Sequence, residues 1–201
     1  MDTNIYESAV RSALKEFSLK QAIVLSLICC HRVGSYYDRF SRAETWGNPD
    51  KLRNARTAVY NWLKGVNTDY KGQSASLEVE IPDSDDFGSV EATLAQVAAI
   101  AHYYMVEQLE SKEIQLTQLV LDRCLEIADV RIQELLDKDS RMEPSIAAIE
   151  SHNIYQKEMR LHVELLKGIK GSLDPVEFVD KVLAVKKDKQ EQFDFRLDEE
   201  N

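Results

Sequence analysis

The densest run of chemically capable side chains in this 201-residue sequence is Ile81-Pro82-Asp83-Ser84-Asp85-Asp86-Phe87. Three carboxylates so closely spaced can hold Mg²⁺, Ca²⁺ or a basic side chain. The same residues also read as a helix entrance. Asp and Ser accept hydrogen bonds from the free N–H groups of a first turn, acids there complement the helix dipole, and Ile81 with Phe87 can staple the entry angle. Arg32 is a natural ion-pair partner for this acidic group. A second set is aromatic: Tyr36, Tyr37, Phe40 and Trp46. Such a patch lines a pocket or an interface, or closes the end of a core. Asp83, Asp85, Asp86, Arg32, Tyr36, Tyr37 and Trp46 are therefore the candidate ligand-binding or partner-binding residues.

Other constellations are weaker. Cys30 and His31 are neighbours, but on a helix adjacent side chains point about 100° apart and do not face each other, so they make a poor nucleophile–base dyad. His102, His152 and His162 could meet near Glu107 or Glu158 and bind a metal. Yet ten residues of helix rise about 15 Å, too far for His152 and His162 to share an ion. These histidines read as buried, hydrogen-bonded residues. The chain carries no Gly-rich phosphate loop, HExxH, di-iron Glu-x-x-His or GxSxG pattern. The expectation is no catalytic residue, no metal and no cofactor, which favours a non-enzymatic role.

These residues must be positioned by helices. Glycine (7) and proline (4) are sparse, which favours long uninterrupted elements. Apolar residues recur at helical spacing over about 2–16, 19–44, 49–64, 87–110, 112–138, 144–170 and 175–190. Ser18 and Gln21 form a capping box, Asn48-Pro49 and Asp174-Pro175 open helices, and Gly65 closes one. The stretch Ala22 to Cys30 is apolar all round and marks a buried helix. Ala92, Ala95, Ala98, Ala99 and Ala101 permit close approach of a neighbour. Leu77, Val79 and Ile81 alternate with polar residues, as do Phe193, Phe195 and Leu197, so a minor two-stranded ribbon joining this loop to the tail is one reading of the period. The fold class is all-α: a bundle of about seven helices, with one helical domain over 1–190 and an acidic tail over 191–201.

The order of these features resembles the YjaG-like family, bacterial helical proteins of unknown function. The resemblance is carried by Cys30-His31-Arg32 after an apolar helix, by the aromatic stretch Tyr37 to Phe40, and above all by Ile81–Phe87, similar to the family's Ile-Pro-x-x-Asp-Asp-Phe segment. It implies a helical fold and a bacterial cytosolic setting, and no established activity.

Charge bounds the partners. The formal net charge is -10, which repels nucleic-acid phosphates and attracts a basic protein. Met1-Asp2-Thr3-Asn4 has neither the basic nor the apolar region of a signal peptide, and no apolar run approaches the roughly 20 residues of a membrane span. Cys29, Cys30 and Cys124 sit in apolar context and read as reduced core thiols, pointing to the cytoplasm. The leading expectation is an interaction module, in concrete form an inhibitor or immunity-type protein covering a basic partner. The alternatives are a metal-dependent hydrolase of a small phosphorylated substrate, with Asp122 and Glu126 opposing the acidic segment, and a self-associating structural protein that pairs with its own copy.

Overall fold

The computed structural model describes residues 1–137 and 145–188. Among them lie ten helices and no strand: α1 Thr3–Glu16, α2 Leu19–Glu44, α3 Pro49–Leu63, α4 Gln73–Glu78, α5 Ser84–Phe87, α6 Val90–Ser111, α7 Leu116–Asp137, α8 Ile146–Ser151, α9 Asn153–Gly171 and α10 Pro175–Asp188. The long segments read from the sequence are helical, the one over 144–170 being divided into α8 and α9, and α4 and α5 are short additions to them. None of these helices is long and apolar enough to cross a membrane.

Caps set the boundaries. The Ser18 hydroxyl accepts from the Gln21 N–H while the Gln21 side chain accepts from the Ser18 N–H, so the capping box that starts α2 is complete. The Asn48 side chain accepts from the Asp50 N–H ahead of Pro49, and Asp174 accepts from the Val176 N–H ahead of α10. Gly65 follows α3 with φ +73°, a conformation that costs glycine little.

Helices α2 and α6 form the centre. Every residue from Ala22 to Cys30 is buried, as are Ala92, Ala95, Ala98, Ala99 and Ala101 of α6. Small side chains on α6 let the two helices approach closely. They run antiparallel: Ser26 bonds to Gln108, Cys30 to Ala101, and Phe40 meets Phe87 edge to face just before α6 begins. Helix α7, joined to α6 by residues 112–115, packs on both. A buried polar chain ties the three together. Ser26 Oγ donates to Gln108 Oε1 at 2.8 Å, Gln108 Nε2 donates to Thr117 Oγ1 at 2.6 Å, and Thr117 also reaches the Ala22 carbonyl. Buried polar groups must be paired, and this chain sets the register of the three helices. Helices α1 and α9 run parallel on one flank, joined by Tyr6 to His162 and Glu16 to Lys170.

Three sequence expectations are corrected. The segment around Leu77 is not an extended strand. Gln73–Glu78 is helical, because Glu110 of α6 takes the Gln73 N–H, the Ser74 N–H and the Ser74 hydroxyl. No strand occurs there to support the ribbon, whose other half, at Phe193 to Leu197, lies outside the described residues. The helix read over 144–170 is broken at His152, which is extended (φ -64°, ψ 141°) and whose Nδ1 accepts from the Ile154 N–H as the cap of α9. The helix read from 87 begins instead at Val90, with Ser89 as its cap and Gly88 (φ +61°) separating it from α5.

Candidate functional site

Arg32 does not meet the acidic segment. It projects from α2 into the interior and binds Glu158 of α9 through two parallel bonds, Nη1 to Oε1 at 2.7 Å and Nη2 to Oε2 at 2.6 Å, with the side chains only 5% and 1% exposed. A fork of this kind matches guanidinium to carboxylate geometry. Burial opposes ionisation of Glu158, but the charges of Arg32 and His162 and their hydrogen bonds outweigh it and hold its pKa well below the usual carboxylate range. Burial likewise opposes the charge on Arg32, and Glu158 overcomes it.

His162 extends the pair. It lies one turn beyond Glu158 on α9, with Nε2 2.8 Å from Glu158 Oε1, and its Nδ1 is 2.7 Å from the Tyr6 hydroxyl. Burial alone would lower the pKa of this ring; the Glu158 charge, with contributions from Cys124, raises it to about 9. The Nδ1 contact is a hydrogen bond with the Tyr6 hydroxyl. Two thiols complete the cluster: Cys29 of α2 and Cys124 of α7 present sulfurs that lie with a His162 nitrogen within 4.8 Å of one another. All three residues are buried, and all three cysteines are free. Contact with Cys29 and burial together push the Cys124 thiol well above its ordinary pKa. Among the described residues this is the one such group of three potential metal ligands.

A second interior site joins α3 to α6. His102 donates Nδ1–H to the Ala98 carbonyl at 2.7 Å and accepts at Nε2 from Arg56 Nη1 at 2.6 Å. Burial first, then the Arg56 charge, lowers the His102 pKa, so the ring is neutral. Both histidines are buried and hydrogen-bonded, as their apolar settings implied. Spacing along the chain did not reveal that one would be charged and the other neutral.

The candidate aromatic and acidic residues divide between interior and surface. Tyr37 is buried and donates to Glu80 Oε2 at 3.1 Å. Glu80 also takes the Asn48 N–H at 2.7 Å and Lys51 Nζ at 2.7 Å, binding the α2–α3 corner to the end of α4. Gly47 (φ +71°) completes the corner, since a Cβ there would stand 2.2 Å from the Tyr37 hydroxyl. Tyr36 is buried, with Arg39 over its ring. Trp46 is half-buried and packs at a tilt against Phe40 and edge to face against Phe87, at centroid distances of 5.9 Å each. Phe87 therefore brings the acidic segment against the aromatic patch, an association that Arg32 does not share. Asp83 caps α5 by accepting from the Asp85 N–H, and Asp83, Asp85 and Asp86 are all exposed.

Surface charge is uneven. From Gln73 to Ser111 the sequence contains no lysine or arginine, yet carries Glu78, Glu80, Asp83, Asp85, Asp86, Glu91, Glu107 and Glu110. Glu80 and Glu110 are spent on internal bonds. Glu78, Asp83, Asp85, Asp86 and Glu91 are exposed, and none forms an ion pair among the described residues. Glu107, Glu78 and Glu110 lie close enough to Tyr103 to raise its pKa, after burial, by their charge. Val79, next to Glu78 at the end of α4, is 68% exposed. Asp122 lies elsewhere, in a groove of about 560 Å³ between α1 and α7 that is also lined by Glu7, Arg11 and Lys15.

A family model described as "Protein of unknown function (DUF416)" matches residues 9–192. The fold is similar to the crystal structure of a DUF416 family protein from Shewanella baltica OS155, with a TM-score of 0.69 and 18% identity over 87% of this chain and 93% of that one. No curated protein matches.

Proposed function

We infer, on the premise that the chain belongs to the DUF416 family and that this family carries no assigned activity, that it is a non-enzymatic interaction module receiving a basic protein partner on the acidic face of α4, α5 and α6. The observation that carries this reading is the run from Gln73 to Ser111, which has no basic residue and exposes five carboxylates without ion-pair partners among the described residues. A field of one sign accelerates encounter with an oppositely charged partner. Val79 and the partly buried Tyr103 and Trp46 offer apolar contacts within or beside it. The groups best suited to acid–base chemistry, His162, His102, Glu158 and Arg32, are by contrast enclosed and paired with one another or with neighbouring side chains.

The hydrolase alternative draws less support, because Asp83 is occupied in capping a four-residue helix and Asp122 lies in a different groove. Self-association also draws less, since the exposed large apolar residues Ile5, Val66, Val79, Ile146 and Leu173 are scattered over five separate elements or loops. A bacterial cytoplasmic setting belongs to the same reading, in keeping with three free buried cysteines. So does the nearer kinship to YjaG-like proteins, which rests on Cys30-His31-Arg32 and Ile81–Phe87.

The test uses a fluorescent lysine- and arginine-rich peptide and the full chain. The Debye length falls from about 10 Å at 0.1 M salt to about 3 Å at 1 M, so binding through this face should weaken at least about tenfold over that range, equivalent to about 1.4 kcal/mol. The variant Glu78→Lys/Asp85→Lys/Asp86→Lys/Glu91→Lys should lose binding while keeping its helical circular dichroism. Unchanged affinity in that variant would overturn the reading.

A further inference from the structure

We propose that Cys29, Cys124 and His162 form a buried site for a thiophilic d¹⁰ cation, Zn²⁺ or Cu⁺. Three helices deliver one soft or borderline donor each: a sulfur from α2, a sulfur from α7 and an imidazole nitrogen from α9. The donor atoms lie within 4.8 Å of one another. Ligands bound to such an ion at about 2.0–2.3 Å are roughly 3.5–4 Å apart, so side-chain rotation of about 1 Å or less closes the set. Thiolate and imidazole are the donors that select these ions over Mg²⁺ or Ca²⁺.

The surroundings suit a metal site in two further ways. Metal-bound histidines are oriented through their second nitrogen; Tyr6 occupies His162 Nδ1 at 2.7 Å, so the ligand role falls to Nε2, which an ion would share with the facing Glu158 carboxylate. That Nε2 is fully buried and makes no aligned hydrogen bond, although Glu158 Oε1 is 2.8 Å away. Charge also balances. Arg32 and Glu158 cancel, so two thiolates, a neutral imidazole and Zn²⁺ sum to zero, as do one thiolate, one thiol and Cu⁺. Binding releases one or two thiol protons to solvent. This site is separate from the acidic face and stands or falls independently of it.

Because the site is closed, the full chain is denatured, reduced and refolded with the probe ion present. Co²⁺ serves as the spectroscopic probe for Zn²⁺, and Cu⁺ is supplied from a chromophoric chelator. The expected result is close to one ion per chain, with thiolate-to-cobalt charge-transfer absorption displaced by Zn²⁺, or transfer of Cu⁺ from the chelator. The arm that responds identifies the ion. Cys29→Ser and Cys124→Ser should abolish binding, while Cys30→Ala, a buried cysteine outside the set, should retain it. X-ray absorption on the loaded wild-type chain needs no variant and should show two sulfurs and a nitrogen in the first shell. Failure of both ions to bind, a first shell without sulfur, or undiminished binding by Cys29→Ser/Cys124→Ser would overturn the proposal.

Discussion

Removing Glu158 strands Arg32 as a buried cation without its counter-charge, and His162, no longer raised by that carboxylate, gives up its proton. The geometry sets the scale. Two bonds of 2.6 and 2.7 Å join Arg32 to Glu158, a third contact of 2.8 Å reaches His162, and the carboxylate is 1% exposed. Breaking one side of a buried pair costs about 3–5 kcal/mol, most of it the penalty on the stranded charge. Glu158→Ala should therefore lose about 3–5 kcal/mol in urea unfolding monitored by circular dichroism. At roughly 2–4 °C per kcal/mol for a chain of this size, the melting temperature should fall by about 6–20 °C. The double variant Arg32→Met/Glu158→Leu removes both charges while keeping apolar bulk, and a buried pair so replaced is often neutral or better. Its loss should be well below the sum of the two single losses, a coupling that a double-mutant cycle measures directly. Additive losses, or a Glu158→Ala loss under about 1 kcal/mol, would refute the view that these charges depend on one another in a dry interior.

The same network makes stability depend on pH at both ends. His162 has a folded pKa raised to about 9, so its contribution is complete below about 6.5, its ordinary value, and is lost as pH rises through 9. Glu158 is lowered, so its contribution is present above the ordinary carboxylate range and lost in acid. Urea midpoints should decline from pH 6.5 to 9.5 in the wild type, and His162→Gln should flatten that decline. Ser18→Ala removes the capping box of α2 and should cost about 1 kcal/mol by urea unfolding. Gly34→Ala places a Cβ 2.4 Å from Arg56 Nη1, whose bond to His102 leaves it little room, and should cost about 1–3 kcal/mol in the same assay.

Local signals were legible in the sequence and long-range pairing was not. The start of α2 could be read because a capping box needs only Ser18 and Gln21, three residues apart. The burial of Ala22–Cys30 followed from an apolar surface on every side of the helix. The Arg32–Glu158 pair joins residues 126 positions apart, and nothing in the periodicity of α2 or α9 selects that acid over the nearer carboxylates of 83–86. The meeting of Cys29, Cys124 and His162 required the spatial order of α2, α7 and α9, which the spacing of apolar residues along each helix does not encode. Around Leu77 a period of two over five residues misled, because Glu110, held on α6, supplies the hydrogen bonds that make α4 a helix. The break at His152 was hidden because histidine is an uncommon cap, and the apolar stripe continues through it.

If the interior serves the fold and the acidic face serves the partner, the two can be separated in a single binding measurement. Affinity for the basic peptide should be measured side by side for Tyr6→Phe, which deletes the hydroxyl on His162, and for Glu78→Lys/Asp85→Lys/Asp86→Lys/Glu91→Lys. The account predicts wild-type affinity for the first and loss of binding for the second. Binding lost in Tyr6→Phe and kept in the charge-reversed chain would contradict it.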